Sequence, residues 1–279
     1  MIRRQDAGWW LLILPAFLLM TAFYVAPIAQ VLAISFTEPT PGLGNYERLF
    51  TSDSVQRVII TTLRICLITT ALSLLLGYVL SYRIALSSPS AQRWWILAVL
   101  VPLWISVLVR AFAWVTLLRR QGLVNETLMA TGVITEPLAL VWNEFGIIVG
   151  MVHYMVPYAV LPMLASMREI DPRLLAAARG LGASRFTIFG RIFLPLSLPG
   201  LLAAGLLVFI FSLGFYITPA LLGGGRTLMV AEWIGLQILD LLRWGLGTMM
   251  ATMLVVAILT TLAVFARVVD LRRIFGGGA

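Results

Sequence analysis

The residue types that most often carry out chemistry in proteins are scarce in this sequence. It has one cysteine, Cys66, and one histidine, His153, and both lie inside apolar runs where core packing is their ordinary role. These two residues cannot form a metal cluster or a disulfide. All 20 strongly basic residues are arginine, so the lysine that a P-loop sets against nucleotide phosphates is missing. We therefore expect no catalytic residue, no metal site, no cofactor and no ATP hydrolysis by this chain.

Two arginines, Arg64 and Arg110, also lie inside apolar runs. A charge in the hydrocarbon region is costly and indicates a functional site, although each side chain could instead extend to the membrane surface or bind a carbonyl. Arg110 lies near the middle of its run, which favours a buried structural or gating role. A buried arginine in a solute pathway would repel a cation, so either Arg110 faces a partner helix or the solute is not a polycation. The candidate pathway residues are Arg64, Arg110, Phe215, Tyr216, Glu232 and Asp240, where the acids would attract a cationic solute; helix packing and a solvated face are the alternatives.

The segment 168–195 differs from the other connections because it carries five arginines between two apolar runs. Asp171 and Pro172 predict a helix start, as an N-cap carboxylate followed by proline at the first helical position. Gly182 is expected to end or bend this helix, and Ser184 can cap the next one. The expected apolar face comprises Leu174, Leu175, Ala178 and Leu181.

Three roles are open for a short amphipathic helix of this kind. It could lie on the lipid surface, serve only as a connector, or dock its small and apolar face into a groove on another protein. The sequence pattern alone leaves these alternatives undecided.

The elements that must position these residues are membrane helices. The chain is 61% hydrophobic and only 11% charged, which a water-soluble core could not accommodate. Six runs are long enough to cross a bilayer, namely residues 9–36, 58–86, 94–118, 145–167, 196–222 and 244–266. We therefore predict an all-α polytopic membrane protein with about six transmembrane helices in one domain spanning residues 1–279.

The arginines also predict the orientation. With the N-terminus inside, 12 of the 20 fall in cytoplasmic segments and 6 in outer segments. Both termini are then cytoplasmic, as are the 168–195 segment and a tail at 267–279. The net charge of +8 does not indicate nucleic-acid binding, because the arginines are spread between apolar runs.

The 168–195 segment resembles the loop with which permeases of ATP-binding-cassette importers contact their ATPase subunits. The resemblance is carried by Ala177, Ala178, Gly182, Ala183, Ile192, Leu194 and Pro195. It implies that this loop is the coupling loop. One departure is Ala176, which stands where the family has glutamate, a carboxylate that could pair with the ATPase or cap its own helix.

Residues 102–118, 122–128 and 214–224 resemble the spermidine/putrescine branch of these permeases. The resemblance implies a type I ABC importer permease fold in a bacterial inner membrane, and a small, polyamine-like organic solute. It also implies as partners a second permease, two ATPase subunits, a periplasmic solute-binding protein and membrane lipid. The alternatives are a secondary transporter or channel without an ATPase, for which we find no internal repeat or acid within the runs, and a membrane enzyme, which would have few reactive side chains.

Overall fold

The computed structural model describes residues 6–268, and all regular elements in this range are helices. Long apolar segments become helical because in lipid each backbone N–H must find its partner within its own segment. In chain order the α-helices are α1 (Asp6–Met20), α2 (Ala26–Thr37), α3 (Gly44–Thr51), α4 (Asp53–Ala85), α5 (Pro89–Trp104), α6 (Val107–Leu118), α7 (Leu123–Ala130), α8 (Glu144–Arg168), α9 (Pro172–Gly180), α10 (Arg185–Ile188), α11 (Leu194–Leu213), α12 (Ile217–Gly223), α13 (Val230–Gly235) and α14 (Trp244–Val268).

Within the described range, five helical segments are long and apolar enough to cross a membrane. Because a helix rises about 1.5 Å per residue, crossing a hydrocarbon core of roughly 30 Å needs about 20 residues. Helix α5 and the helical segment Val107–Ala130, which comprises α6 and α7, are bent relative to each other and make a sixth crossing if they count as one span. The prediction of a multi-pass all-helical protein is confirmed. The five crossings are Ile13–Thr37, Asp53–Ala85, Glu144–Arg168, Arg185–Leu213 and Trp244–Arg267.

The prediction of one continuous span over residues 94–118 is wrong. Helix α5 ends at Trp104, helix α6 begins at Val107, and the two directions differ by 95°. Non-helical backbone at membrane depth requires partners from the rest of the protein. Arg110 provides one, because its Nη2 donates a hydrogen bond of 3.1 Å to the carbonyl of Ile105 in the break. The hydrophobicity of the run does not reveal this tertiary contact.

The predicted fifth span, residues 196–222, also differs from the structure. Helix α11 ends at Leu213, and the separate helix α12 begins at Ile217 after a turn at Gly214. In the other direction the helix extends beyond the prediction, because a π-helical turn, Phe189–Phe193, joins α10 to α11. Pro195, which lacks a backbone N–H, does not interrupt this segment, because the π-helical turn before it changes the hydrogen-bond pattern and the N–H of Leu194 bonds to the carbonyl of Phe189.

Small residues bring the membrane helices close together. A Cβ added to Gly200 of α11 would lie 2.5 Å from Ser166 Cβ and 2.9 Å from the carbonyl oxygen of Pro162, both in α8. Gly77 of α4 is similarly close to α8, with 2.8 Å from its added Cβ to the Cβ of Ala159. Close backbone approach gives membrane helices the van der Waals contact that replaces hydrophobic association in lipid. Helix α8 therefore lies at the centre of the packing.

The chain divides into two compact units. One comprises Arg57–Glu232 with the described residues from Ala257 onward, and the other comprises the described residues up to Gln56 with Trp233–Val256. In the second unit, α3 follows α2 after the segment 38–43. Asn45 fixes α3 to the end of α2, because its Nδ2 donates to the carbonyls of Ser35 at 3.0 Å and Glu38 at 2.6 Å.

Candidate functional sites in the 168–195 loop and around Arg110

The predicted helix start in the 168–195 loop is confirmed. The Asp171 carboxylate accepts a hydrogen bond of 2.8 Å from the backbone N–H of Arg173, and Pro172 occupies the first position of α9. The predicted cap at Ser184 is also confirmed, because its Oγ accepts a bond of 3.2 Å from the N–H of Thr187. Both caps satisfy donors that helix starts leave unpaired.

Gly182 terminates α9 through its backbone conformation. It has a φ of +81°, which glycine adopts without the penalty that a Cβ brings. The N–H groups of Leu181 and Ala183 then bond to the carbonyls of Ala177 and Ala178, each at 3.0 Å. A Cβ on Gly182 would meet no atom of this chain within 4 Å. Within this chain, the special backbone angle rather than a close approach requires glycine here.

The predicted apolar face of α9 is split between two environments. Leu175 and Ala178 are buried in a cluster with Ile188 and Phe193, whereas Leu174 and Leu181 point away from it. Leu181 is 89% exposed, and Phe186, which sequence analysis did not single out, is 90% exposed. Phe186 could have been identified from sequence as a large apolar side chain that directly follows the helix start capped by Ser184. One face of the loop thus packs on its own chain, and another presents apolar side chains outward.

The remaining residues of the loop resemblance lie along the same segment. Ala177 is exposed, whereas Ala183 and Ile192 pack against the buried cluster. Leu194 and Pro195 open α11 directly after the π-helical turn. Because Arg185–Leu213 forms one helical segment, the loop and the membrane-crossing helix are mechanically continuous.

Arg64 forms an ion pair with the carboxylate of Glu144, the first residue of α8. Both side chains are more than one-third exposed. Exposed pairs contribute little to stability, but each charge compensates the other. Arg64 is therefore not a free cation, and Glu144 is not a free anion.

Arg110 is only 8% exposed and lies under an aromatic ring. Its guanidinium carbon is 4.5 Å from the centre of the Tyr154 ring, a cation–π distance. Apart from the bond of Nη2 to Ile105, its Nε and Nη1 have no hydrogen-bond partner among the described residues. The contact joins the break between α5 and α6 to the middle of α8.

Aromatic residues extend this contact into what we call the Arg110 cluster, comprising Arg110, Tyr154, Tyr158, Phe211 and Phe215. Tyr154 and Tyr158 stack with centroids 5.5 Å apart, and Tyr154 lies 4.6 Å from Phe215. Tyr158 lies 5.2 Å from Phe211. Sequence analysis named Phe215 but missed the two tyrosines, whose i, i+4 spacing within an apolar span was the available signal.

The other predicted pathway residues lie apart from this cluster. Tyr216 is 46% exposed and precedes α12. Glu232 lies in α13, outside the membrane-crossing helices, where burial raises the pKa of its carboxyl to about 7. Asp240 is exposed at the end of a π-helical turn, Leu236–Asp240, in the second unit. The structure thus joins Arg110 with Phe215 and leaves the other candidates in separate surroundings.

His153 and Cys66, the histidine and the cysteine of the chain, pack within the protein. His153 Nδ1 accepts a hydrogen bond of 3.2 Å from Trp114 Nε1. Cys66 is a free, buried thiol. Among residues 6–268 no group of three or more potential metal ligands is present.

The crossings and their interrupted helix define a multi-pass helical membrane protein. Residues 77–274 match the family described as binding-protein-dependent transport system inner membrane component. The chain is 31% identical over 263 residues to the spermidine/putrescine transport system permease protein PotB of Escherichia coli (strain K12), covering 93% of this chain and 94% of that protein. The corresponding PotB of Haemophilus influenzae (strain ATCC 51907 / DSM 11121 / KW20 / Rd) is 30% identical over 253 residues, 88% of each chain. This chain belongs to that family, the permease subunits of ATP-binding-cassette importers.

The fold agrees with this assignment. A chain of a bacterial alginate ABC transporter, crystallised with an alginate pentasaccharide-bound periplasmic protein, superposes with a TM-score of 0.79 at 20% identity, covering 95% of this chain and 94% of that one. The fold is therefore that of a type I importer permease. As a multi-pass inner-membrane transport subunit, the chain works with a second permease, a periplasmic binding protein and separate ATPase subunits, where ATP hydrolysis lies. The comparisons give no support to a secondary transporter or channel.

Proposed function

We propose that this permease carries a polyamine, or a related small organic solute, into the cytoplasm. The support is the resemblance over most of the chain to permeases named for spermidine and putrescine transport. Arg110 does not oppose this proposal, because its charge is stacked on Tyr154 and bonded to a backbone carbonyl rather than standing in an open passage. The exposed aromatic ring of Tyr216 suits an ammonium ion through cation–π attraction.

The solute proposal is tested by uptake of labelled putrescine and spermidine in a strain that depends on this system. We expect ATP-dependent accumulation of at least one of them. A matched strain lacking the ATPase should accumulate neither. Absence of uptake, together with a binding protein that ignores both amines, would leave the importer assignment intact and reject the solute.

We further propose that the 168–195 loop faces the cytoplasm and couples the membrane helices to two ATPase subunits. The observation that carries this proposal is the pair of outward apolar side chains, Leu181 and Phe186, on a loop continuous with the helix Arg185–Leu213. An apolar pair held at 89% and 90% exposure is costly in water and suits a protein partner. Motion of a partner against this loop would act directly on the fifth crossing.

The coupling role is tested by replacing Gly182 with aspartate. The replacement puts a side chain at a φ of +81° on the proposed docking side, without touching a membrane span. We expect normal insertion and assembly, with loss of both transport and solute-stimulated ATP hydrolysis. The matched control is Gly132→Asp, since Gly132 has a φ of +73°, equally open surroundings and a position in the loop after α7. Full stimulation in a well-expressed Gly182→Asp complex would reject the proposal.

The proposed orientation puts both termini in the cytoplasm and is motivated by the distribution of arginines. Single cysteines introduced at Thr40 and Thr227 in a Cys66→Ser background should react with an impermeant thiol reagent in intact cells. A cysteine at Ser184 should react only after permeabilisation. Labelling of Ser184→Cys in intact cells would invert the orientation and, with it, exclude the coupling role.

A further inference from the structure

A cavity of about 420 Å³ lies beside the 168–195 loop, where the loop meets the end of α4. We call it the basic cavity. Its lining combines aromatic and aliphatic side chains with two arginines: Tyr82, Leu86, Leu175, Arg179, Arg185, Ile188, Phe189 and Phe193. A side chain of another protein is small enough to enter such a volume.

The charge of the basic cavity is uncompensated within the described part of the chain. Arg179 and Arg185 are exposed, and the one ion pair found among residues 6–268 joins Arg64 to Glu144. The loop holds five arginines against two acids, Glu169 and Asp171, and the latter is engaged as the cap of α9. Ala176 supplies no carboxylate either. Among residues 6–268 no carboxylate pairs with the two arginines, which leaves them available to an acidic group of another molecule.

The aromatic side chains that line the basic cavity pack against the turn that begins the membrane helix. Tyr82 packs edge-on against Phe189 at 5.5 Å and against Phe193 at 4.9 Å. Both phenylalanines belong to the π-helical turn that continues into α11. An occupant of this cavity would therefore bear directly on the start of the fifth crossing.

Leu181 and Phe186 are exposed apolar residues of the same loop. They follow Arg179 and Arg185 closely in the chain and are almost fully exposed. Apolar anchors combined with a charge that becomes desolvated on binding are typical of the energetically important part of a protein interface. A lipid headgroup would also supply negative charge, but the ATPase subunit is the protein partner expected on the cytoplasmic side, where this loop is proposed to lie.

We propose that the basic cavity receives a carboxylate side chain of the ATPase subunit, held between Arg179 and Arg185. This inference rests on the coupling role proposed above for the same loop. In the family, the glutamate at the position of Ala176 could pair with a basic group of the ATPase. In this chain the permease would supply the basic groups and the ATPase the acid. Arginine suits this task, since its planar fork can grip a carboxylate with two hydrogen bonds.

The test measures binding of the purified ATPase subunit to the permease complex in nanodiscs of zwitterionic lipid. The double variant Arg179→Glu/Arg185→Glu should weaken binding by roughly ten-fold or more, because attraction at two positions becomes repulsion. The wild-type affinity should fall with added salt, and that of the variant should not. The control is Arg173→Glu, which changes an exposed arginine of α9 outside the cavity and should alter binding less than about two-fold.

Charge exchange identifies the partner residue. Acids on the ATPase are changed singly to arginine, and one of them should restore binding and hydrolysis to the double glutamate variant. Unchanged ATPase binding by the double variant would overturn the proposal. In a parallel set of nanodiscs that contain phosphatidylglycerol, a double variant that lost retention of this lipid but bound the ATPase normally would show that the cavity is a lipid site, which also overturns the proposal.

Failure of this inference can be told apart from failure of the coupling role. If only the cavity proposal is wrong, Gly182→Asp still abolishes stimulated hydrolysis while the arginine variants bind normally. If the coupling role is wrong, both Gly182→Asp and the arginine variants leave hydrolysis unchanged.

Discussion

Alanine substitution at two neighbouring glycines separates backbone conformation from side-chain size in the 168–195 loop. Gly180 and Gly182 are both exposed, and a Cβ on either would meet nothing within 4 Å. Only Gly182 has a positive φ, at +81°. The same methyl group is therefore added to open space at both positions, and only the backbone conformation differs.

The expected magnitudes follow from that difference. A left-handed backbone costs an alanine roughly 1–2 kcal/mol, offset by about 0.5 kcal/mol from the reduced freedom of the unfolded chain. Gly182→Ala should therefore destabilise the hydrogen-bonded end of α9, relative to its locally opened state, by about 1 kcal/mol. Gly180→Ala, at the last residue of α9 with ordinary helical geometry, should stabilise it by about 0.5 kcal/mol. The two variants should differ by roughly ten-fold in local opening.

Hydrogen exchange measures this opening at the amides that close the helix end. The N–H groups of Leu181 and Ala183 each bond a carbonyl at 3.0 Å, and these bonds must break for exchange. Gly182→Ala should exchange about five-fold faster than the original chain, and Gly180→Ala about two-fold slower. Equal exchange in the two variants would refute the argument that the positive φ of Gly182 terminates α9.

Two further predictions concern other parts of the molecule. Gly200→Ala should lower the thermal unfolding midpoint, because the added methyl group forces α11 away from Ser166 of α8 at a cost of about 1–3 kcal/mol. The control is Gly205→Ala, whose added methyl group meets only a side-chain methyl at 3.4 Å. Similar midpoints for the two variants would contradict the close approach of α11 to α8. Glu232→Gln should stabilise the detergent-solubilised protein at pH 8 and leave it unchanged at pH 4. The reason is that a carboxyl whose pKa is raised from 4.5 to about 7 contributes stability below pH 4.5 that is lost as the pH rises through 7. Partial solvent access reduces the effect to about 1 kcal/mol; a variant with the pH dependence of the original chain would contradict it.

Features governed by short-range interactions were predictable from sequence. The caps at Asp171 and Ser184 and the terminating glycine Gly182 depend on residues within one helical turn, and each was located correctly. The membrane crossings were predictable for a similar reason, because their main requirement is about 20 consecutive apolar residues. Their limits were less accurate at residues 196–222, where the apolar run continues across the turn at Gly214.

Features that depend on distant residues were not predictable. The break between α5 and α6 lies within an apolar run and is stabilised by Arg110, whose side chain in turn meets Tyr154 of α8. A single sequence shows that Arg110 is intramembrane but not which ring it meets. The split of the α9 face is similar, because whether Leu181 is buried depends on where Ile188 and Phe193 fold back.

The same tertiary contacts indicate how the proposed coupling would reach the middle of the membrane. A displacement of the 168–195 loop moves the helix Arg185–Leu213, since no break separates them. At Gly200 this helix touches the backbone of α8 too closely to slide without moving it. Helix α8 carries Tyr154, which bears on Arg110 at the break between α5 and α6. A displacement transmitted along these contacts would therefore act on the 95° bend between α5 and α6.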